Sequence, residues 1–211
     1  AYLAGMVSGQ FTGEIFAQNI YNSKLMSYYH TRNNTDWMKY LFVSEMSDGT
    51  ALNSLNLNRV YILTSKRSAS ASELLINGLA PHIQVVQIGD TTYGKNVGSI
   101  TVYDYIDNNS TKNPDHTYAL QPIIFKVANS LDFSDYSDGL TPDAGLLLKE
   151  DIANLGVLGE VTEPLLALAI GQINGTSARS AIRTTEFPID NAIEDPKMLS
   201  RQNLVSEKQL P

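Results

Sequence analysis

The stretch from Val60 to Gly98, VYILTSKRSASASELLINGLAPHIQVVQIGDTTYGKNVG, constrains the fold more than any other part of this chain. Arg59 to Thr64 (RVYILT) is short, β-branched and almost continuously apolar. That is the pattern of a strand buried on both faces of a parallel sheet. Ser70 to Leu79 then reads as a helix, opened by an S-x-x-E capping box made of Ser70 and Glu73. Gln84 to Ile88 (QVVQI) is the next strand, followed by a glycine turn carrying Lys95. A right-handed β-α-β crossover brings the carboxyl ends of its two parallel strands to one edge of the sheet. Open α/β sheets carry their reactive groups at that edge. A serine at the helix start and a lysine in the second turn are thus predicted to meet, although 25 residues separate Ser70 from Lys95.

The rest of the chain fits around this unit. Ala1 to about Gly9 reads as the end of a helix closed by Gly9, and residues 14 to 30 show no clean period. Lys39 to Met46, Ser99 to Tyr105 and Tyr118 to Val127 read as strands, the last with Pro122 marking an edge or bulge. Asp132 to Ala144 is a turn-rich acidic loop, and Glu160 to Gly171 a helix with Pro164 in its first turn. The expected class is α/β with a mixed or parallel sheet, in one body over residues 1–176. A polar, extended tail follows over 177–211.

Composition removes several functions. With 211 residues the chain is long enough to bury a real core. A net charge of −7 argues against nucleic acid as a partner, because phosphate binding needs clustered Lys and Arg. No apolar run approaches the roughly 20 residues that span a bilayer. The absence of cysteine excludes disulfides and thiolate metal sites. The first residue is Ala1 rather than Met, so the expectation is that the sequence opens partway through a longer protein.

A serine at a helix N-terminus gains from unpaired N–H groups and from the positive end of the helix dipole. At Ser70 that field favours the alkoxide of attack, and the Ala71 N–H is the candidate oxyanion donor. A lysine acts as base only when burial lowers its pKa from about 10.4 toward neutrality. Lys95, in YGKNVG between apolar strands, is the candidate base. The plain alternative is a serine-capped helix followed by a surface lysine.

Gly89 to Lys95 (GDTTYGK) also matches the first seven positions of the phosphate loop G-x-x-x-x-G-K-[ST]. Asn96 replaces the magnesium-binding hydroxyl, and the residues that follow read as a strand where a phosphate loop opens a helix. No G-x-S-x-G elbow and no S-x-x-K pattern occurs. His30, His82 and His116 stand singly in polar surroundings, and no local pattern supports a triad or a metal site. No metal, nucleotide or organic cofactor is implied.

Ser70-Ala71-Ser72-Glu73 followed by GDTTYGK resembles the C-terminal processing (tail-specific) serine peptidases of the S41 type. Gly139, Leu140, Thr141, Pro142 and Asp143 resemble that family's G-[IF]-x-P-D segment, and EPLLALAIGQI its closing helix. TYGKNVGS and EPLLA look most like envelope-associated bacterial members. The resemblance covers roughly Arg59 to Gly175. It implies a ClpP/crotonase-like core, Ser70 as nucleophile in preference to Ser68 or Ser72, and Lys95 as general base. It also implies protein or peptide substrates and a cell-envelope or periplasmic location.

Two departures accompany it. Ser99 stands where the family often has a glutamine that orients the lysine, and is the candidate for that work. The family's upstream D-L-R-x-N-x-G-G segment, which completes the oxyanion hole, and its PDZ domain are not in this sequence. The expectation is therefore the C-terminal portion of a peptidase core, with a catalytically silent peptide-binding relative as the alternative.

Overall fold

The computed structural model of the protein describes residues 1–151 and 154–176. The tail expected over 177–211 lies outside the described residues. The elements are α1 (Tyr2–Val7), β1 (Ile15–Tyr21), α2 (Ser23–His30), β2 (Lys39–Leu41), β3 (Arg59–Thr64), α3 (Ala71–Leu79), β4 (Gln84–Gly89), β5 (Val97–Ser99), β6 (Val102–Tyr103), β7 (Ala119–Leu120), β8 (Ile123–Asn129) and α4 (Pro164–Ile173). The chain divides into two units. The larger holds Ala1–Asn96 and resumes at Lys126, and Val97–Phe125 belongs to the smaller.

In the larger unit, β3 and β4 are parallel and in unbroken register from Arg59 opposite Gln84 to Thr64 opposite Gly89. The helix between them is the predicted crossover. It ends at Leu79, with Ala80 at the C-cap still helical (φ −55°, ψ −36°) and its N–H donating to the Ile76 carbonyl. β2 pairs antiparallel with β1, and β8 lies on the far side of β1, so the architecture mixes antiparallel and parallel pairing. Gly78 of α3 sits against the Phe16 ring of β1, where a Cβ would fall 2.4 Å from the ring. That close approach seals one core, made of Ala4, Phe16, Ala17, Phe42, Leu79 and Ile83. A second core joins Ile88 of β4 to Leu146, Leu148 and the α4 residues Leu165, Leu168 and Ala169.

Several predicted boundaries move. Residues 14 to 30 form β1 and α2, the latter capped by Asn22 accepting from the Leu25 N–H. Gly9 does not close α1; it opens a 3-10 turn whose N–H donates to Ser54 Oγ. β2 spans only Lys39–Leu41, and Phe42 carries the contact on, donating its N–H to the Glu14 carbonyl and accepting the Gly13 N–H. α4 starts at Pro164 rather than Glu160, since the Glu163 carboxylate caps the Leu165 and Leu166 N–H groups. β3 is less buried than predicted, with Leu63 40% exposed.

In the smaller unit the strand expected over Ser99 to Tyr105 breaks after Ser99, and β6 then pairs antiparallel with β7. The strand expected over Tyr118 to Val127 breaks at Gln121 and Pro122, where proline offers no N–H to a ladder.

Candidate active site

Because Thr64 and Gly89 are opposite one another at the ends of β3 and β4, the serine turn and the lysine turn leave the sheet at the same edge. The serine turn closes on itself. The Ser65 N–H donates to Ser68 Oγ at 3.1 Å, and the Ser68 N–H to the Ser65 carbonyl at 2.9 Å. Ser68 is therefore engaged in shaping the turn. Ser70 is exposed at the helix N-cap with φ 56° and ψ −107°, the only one of Ser68, Ser70 and Ser72 with positive φ. A non-glycine residue held there costs about 1–3 kcal/mol, and such strain concentrates at functional sites. Ala71 begins the helix, so its N–H has no partner within the helix. Ser72 lies one residue further on and is exposed.

The turn is fixed by a residue that the sequence marked only as a helix cap. Glu73 is completely buried, at 0% exposure. Its Oε2 accepts the Ser70 N–H at 2.8 Å and the Lys95 N–H at 2.9 Å. Its Oε1 accepts the Thr92 hydroxyl at 2.6 Å and the Gly94 N–H. A carboxylate has about four lone-pair sites, and here each has a donor. That complete pairing is what lets the group be buried away from water. Since Ser70 N and Lys95 N share one oxygen, the two predicted residues are neighbours in space. Their side chains are both exposed, and no hydrogen bond joins Ser70 Oγ to Lys95 Nζ.

The lysine turn is held from behind by the turn-rich acidic loop, through its backbone rather than its exposed acids. The Thr92 N–H donates to the Leu140 carbonyl at 3.1 Å, and the Leu140 N–H to Thr92 Oγ1 at 2.8 Å. Gln87 Nε2 reaches the same carbonyl at 2.7 Å. Gly94 and Gly139 have φ of 93° and 94°, and a Cβ on either would lie 2.1 Å from a carbonyl oxygen of the opposite segment. The G-L-T-P-D segment is thus a buttress. Tyr136, three residues before it, is buried, and burial together with the Glu73 charge pushes its phenol up to about 12.

The competing chemistries fare as follows. Every N–H from Gly89 to Asn96 already donates to a protein acceptor: the carbonyls of Leu146, Thr64, Leu140, Ser68 and Gly94, or the carboxylates of Asp90 and Glu73. A phosphate loop needs those groups free for an anion, and here a carboxylate occupies the cradle. His82 is not in polar surroundings; its ring packs between Phe11, tilted at 53°, and Phe42, edge-on at 78°. Its Nε2 lies 3.3 Å from Ser130 Oγ and its Nδ1 3.6 Å from Glu14. Nε2 also meets the Ile15 carbonyl at 3.1 Å, and since a carbonyl only accepts, that nitrogen carries hydrogen and cannot take a serine proton. Ser99 is exposed at the end of β5, in the smaller unit. Among the described residues no cluster of His and carboxylates has metal-binding geometry, and no helix is long and apolar enough to cross a membrane.

No protein-family model matches the sequence. No curated protein matches it either. Among solved structures the fold is similar to a protein described as an S41 protease from Bacteroides fragilis NCTC 9343. The TM-score is 0.64 at 25% identity over 82% of this chain. A weaker likeness, to the photosystem II D1 C-terminal processing protease, has a TM-score of 0.42 at 15% identity and covers 73% of this chain and 31% of that one. This chain spans 40% of the length of the Bacteroides protein. The likeness supports a relative of the S41-type C-terminal processing peptidases, the family its motifs resemble.

Proposed function

We propose that this chain carries the catalytic turns of a serine endopeptidase with a ClpP/crotonase-like core. Ser70 is the nucleophile and Lys95 the general base. The observation that supports this most is the shared oxygen of Glu73, which draws a strained, exposed serine and an exposed lysine onto one buried carboxylate. The fold likeness to an S41 protease points the same way.

In this reading Ser70 Oγ attacks the peptide carbonyl while its proton passes to Lys95 Nζ. The tetrahedral oxyanion forms beside the Ala71 N–H at the positive end of α3, where one such donor contributes on the order of 3 kcal/mol. Collapse breaks the C–N bond, and Lys95 returns the proton to the leaving amine. Water, deprotonated by Lys95, then releases the acyl group from Ser70. Only a neutral lysine can start this sequence, so bound peptide must exclude water from around Lys95. The substrates are proteins or peptides, met in the bacterial cell envelope.

Peptide hydrolysis by the full-length protein tests the assignment. Ser70→Ala and Lys95→Ala should each lower kcat by about a thousandfold or more with the fold intact, as losing a nucleophile or its base does elsewhere. Undiminished cleavage by Lys95→Ala would remove the lysine from the mechanism. A wild-type protein that binds peptide without turnover would instead mark a scaffolding relative.

A further inference from the structure

We infer that Glu73 is a positioning residue of this site, a buried anion that sets the separation of the Ser70 and Lys95 turns by holding both backbones on one carboxylate. The inference rests on the Ser70–Lys95 reading but makes a separate claim, about what keeps the pair in register.

Three observations lead to it. A capping box needs only the Glu73-to-Ser70 half of this arrangement, at 2.8 Å. The remaining donors, Thr92 Oγ1 and the N–H groups of Gly94 and Lys95, come from another turn 19 to 22 residues away. A helix cap alone would leave the carboxylate at the surface, whereas Glu73 is fully buried. The contacts also converge rather than spread. Ser70 and Lys95 meet at Oε2, Thr92 and Gly94 at Oε1, so any shift of one turn strains the other. The Ser68 carbonyl, accepting the Tyr93 N–H at 2.9 Å, is a second stitch between the same turns.

The electrostatics have a direction. N–H and O–H dipoles that face a phosphate in nucleotide-binding loops here face a carboxylate supplied by the protein. The lysine turn is thereby organised as an anion cradle with the anion built in. Glutamine in place of Glu73 has one acceptor oxygen and one donor amide. If its oxygen serves Ser70 and Lys95, its amide points at Thr92 and Gly94; the Thr92 hydroxyl can rotate to accept, but the Gly94 N–H cannot. The shape survives and the register does not. A misplacement of about 1 Å between reacting groups can cost on the order of a hundredfold in rate.

The test compares Glu73→Gln with wild type in the full-length protein, measuring peptide hydrolysis and melting together, with Ser70→Ala alongside. Glu73→Gln should stay folded and lose about ten- to a hundredfold in kcat, with KM within about twofold. A folded Glu73→Gln with wild-type kcat overturns the inference while leaving the dyad standing. Activity retained in Ser70→Ala instead overturns the dyad reading itself. If Glu73→Gln does not fold, the Thr92 pair decides. Thr92→Val, which removes the hydroxyl at constant shape, should lower kcat several-fold, and Thr92→Ser should restore it. Equal rates in those two variants would refute the positioning role.

Discussion

The crossover from Arg59 to Asn96 and the excursion from Val97 to Phe125 handle polar groups in opposite ways. The crossover takes a carboxylate fully out of water and surrounds it with donors gathered from two turns. The excursion keeps its carboxylates at the surface and pairs them with near neighbours: Asp107 with Asn109 and Thr111, Asp104 with Asn113 and His116. It also leaves Ile106, Tyr118, Leu120 and Ile123 at 60% exposure or more, and its ribbon of β6 and β7 pairs only two residues on each strand. Two-stranded ribbons are marginal by themselves. The contrast teaches that long-range pairing of buried groups makes a segment rigid and intolerant, whereas local pairing at the surface makes it replaceable.

The sharpest way to break the comparison is at Gly94. Alanine there must keep φ near 93° and put its Cβ 2.1 Å from the Ser137 carbonyl oxygen, with the Gly139 backbone also in the way. Nothing flexible is available to move. Gly94→Ala should cost about 3 kcal/mol or more, which lowers Tm by roughly 10 °C in a protein of this size. Calorimetry against Gly49→Ala isolates the clash, because Gly49 has φ 83° but open space where its Cβ would point. Equal losses in the two variants would mean that backbone strain, and not the packing of the two turns, sets the cost.

The same contrast explains what could be read from the sequence. β3, α3 and β4 were legible to within a residue because the apolar β-branched runs and the capping box agree locally. That the backbones of the Ser70 and Lys95 turns lie close was legible too, from the strand-helix-strand order, although no hydrogen bond joins the two side chains. The role of Glu73 was only half legible. S-x-x-E announces a cap, but donors 19 or more residues away leave no periodic trace. The buttress at Leu140 was not legible: the acids of that loop, Asp132, Asp135, Asp138 and Asp143, are exposed as acidic turn residues should be, and they say nothing of the backbone between them. Strands in the excursion were misplaced because β6 and β7 pair over only two residues each, too few for alternation to mark a strand's bounds.

A smaller effect follows from Tyr136, whose phenol stays protonated up to about 12 because it is buried and lies near the Glu73 charge. In the unfolded chain the same group ionises near 10. Below pH 10 both states hold the proton and folding stability is unaffected. Between 10 and 12 only the unfolded state loses it, so stability falls as pH rises, by on the order of 1–3 kcal/mol. Urea unfolding at pH 9 and pH 11 should show this loss in wild type. Tyr136→Phe should abolish much of the difference. A wild-type protein equally stable at both pH values would mean that the region around Glu73 is open to water.

The smallest effect belongs to the excursion and completes the comparison, because Asp107, like Glu73, is a carboxylate bonded by N–H and O–H donors, but it lies at the surface and its donors are local. Its Oδ1 accepts the N–H groups of Asn109 and Thr111 at 2.9 and 3.0 Å, and its Oδ2 the Thr111 hydroxyl at 2.8 Å. Those bonds, the Thr111 N–H foremost, hold its pKa below the usual carboxylate value. Any stability they supply is present above the ordinary carboxylate range and is lost as pH falls through the lowered pKa. Water competes for every one of these donors, so Asp107→Ala should leave Tm within roughly a degree or two. Amide exchange at Asn109 and Thr111 should nonetheless speed up, because the turn opens locally without unfolding the protein. A large fall in Tm would erase the distinction between the two regions: hydrogen bonds of the same kind would then matter equally in water and in the core, and burial would not be what sets the bonds of Glu73 apart.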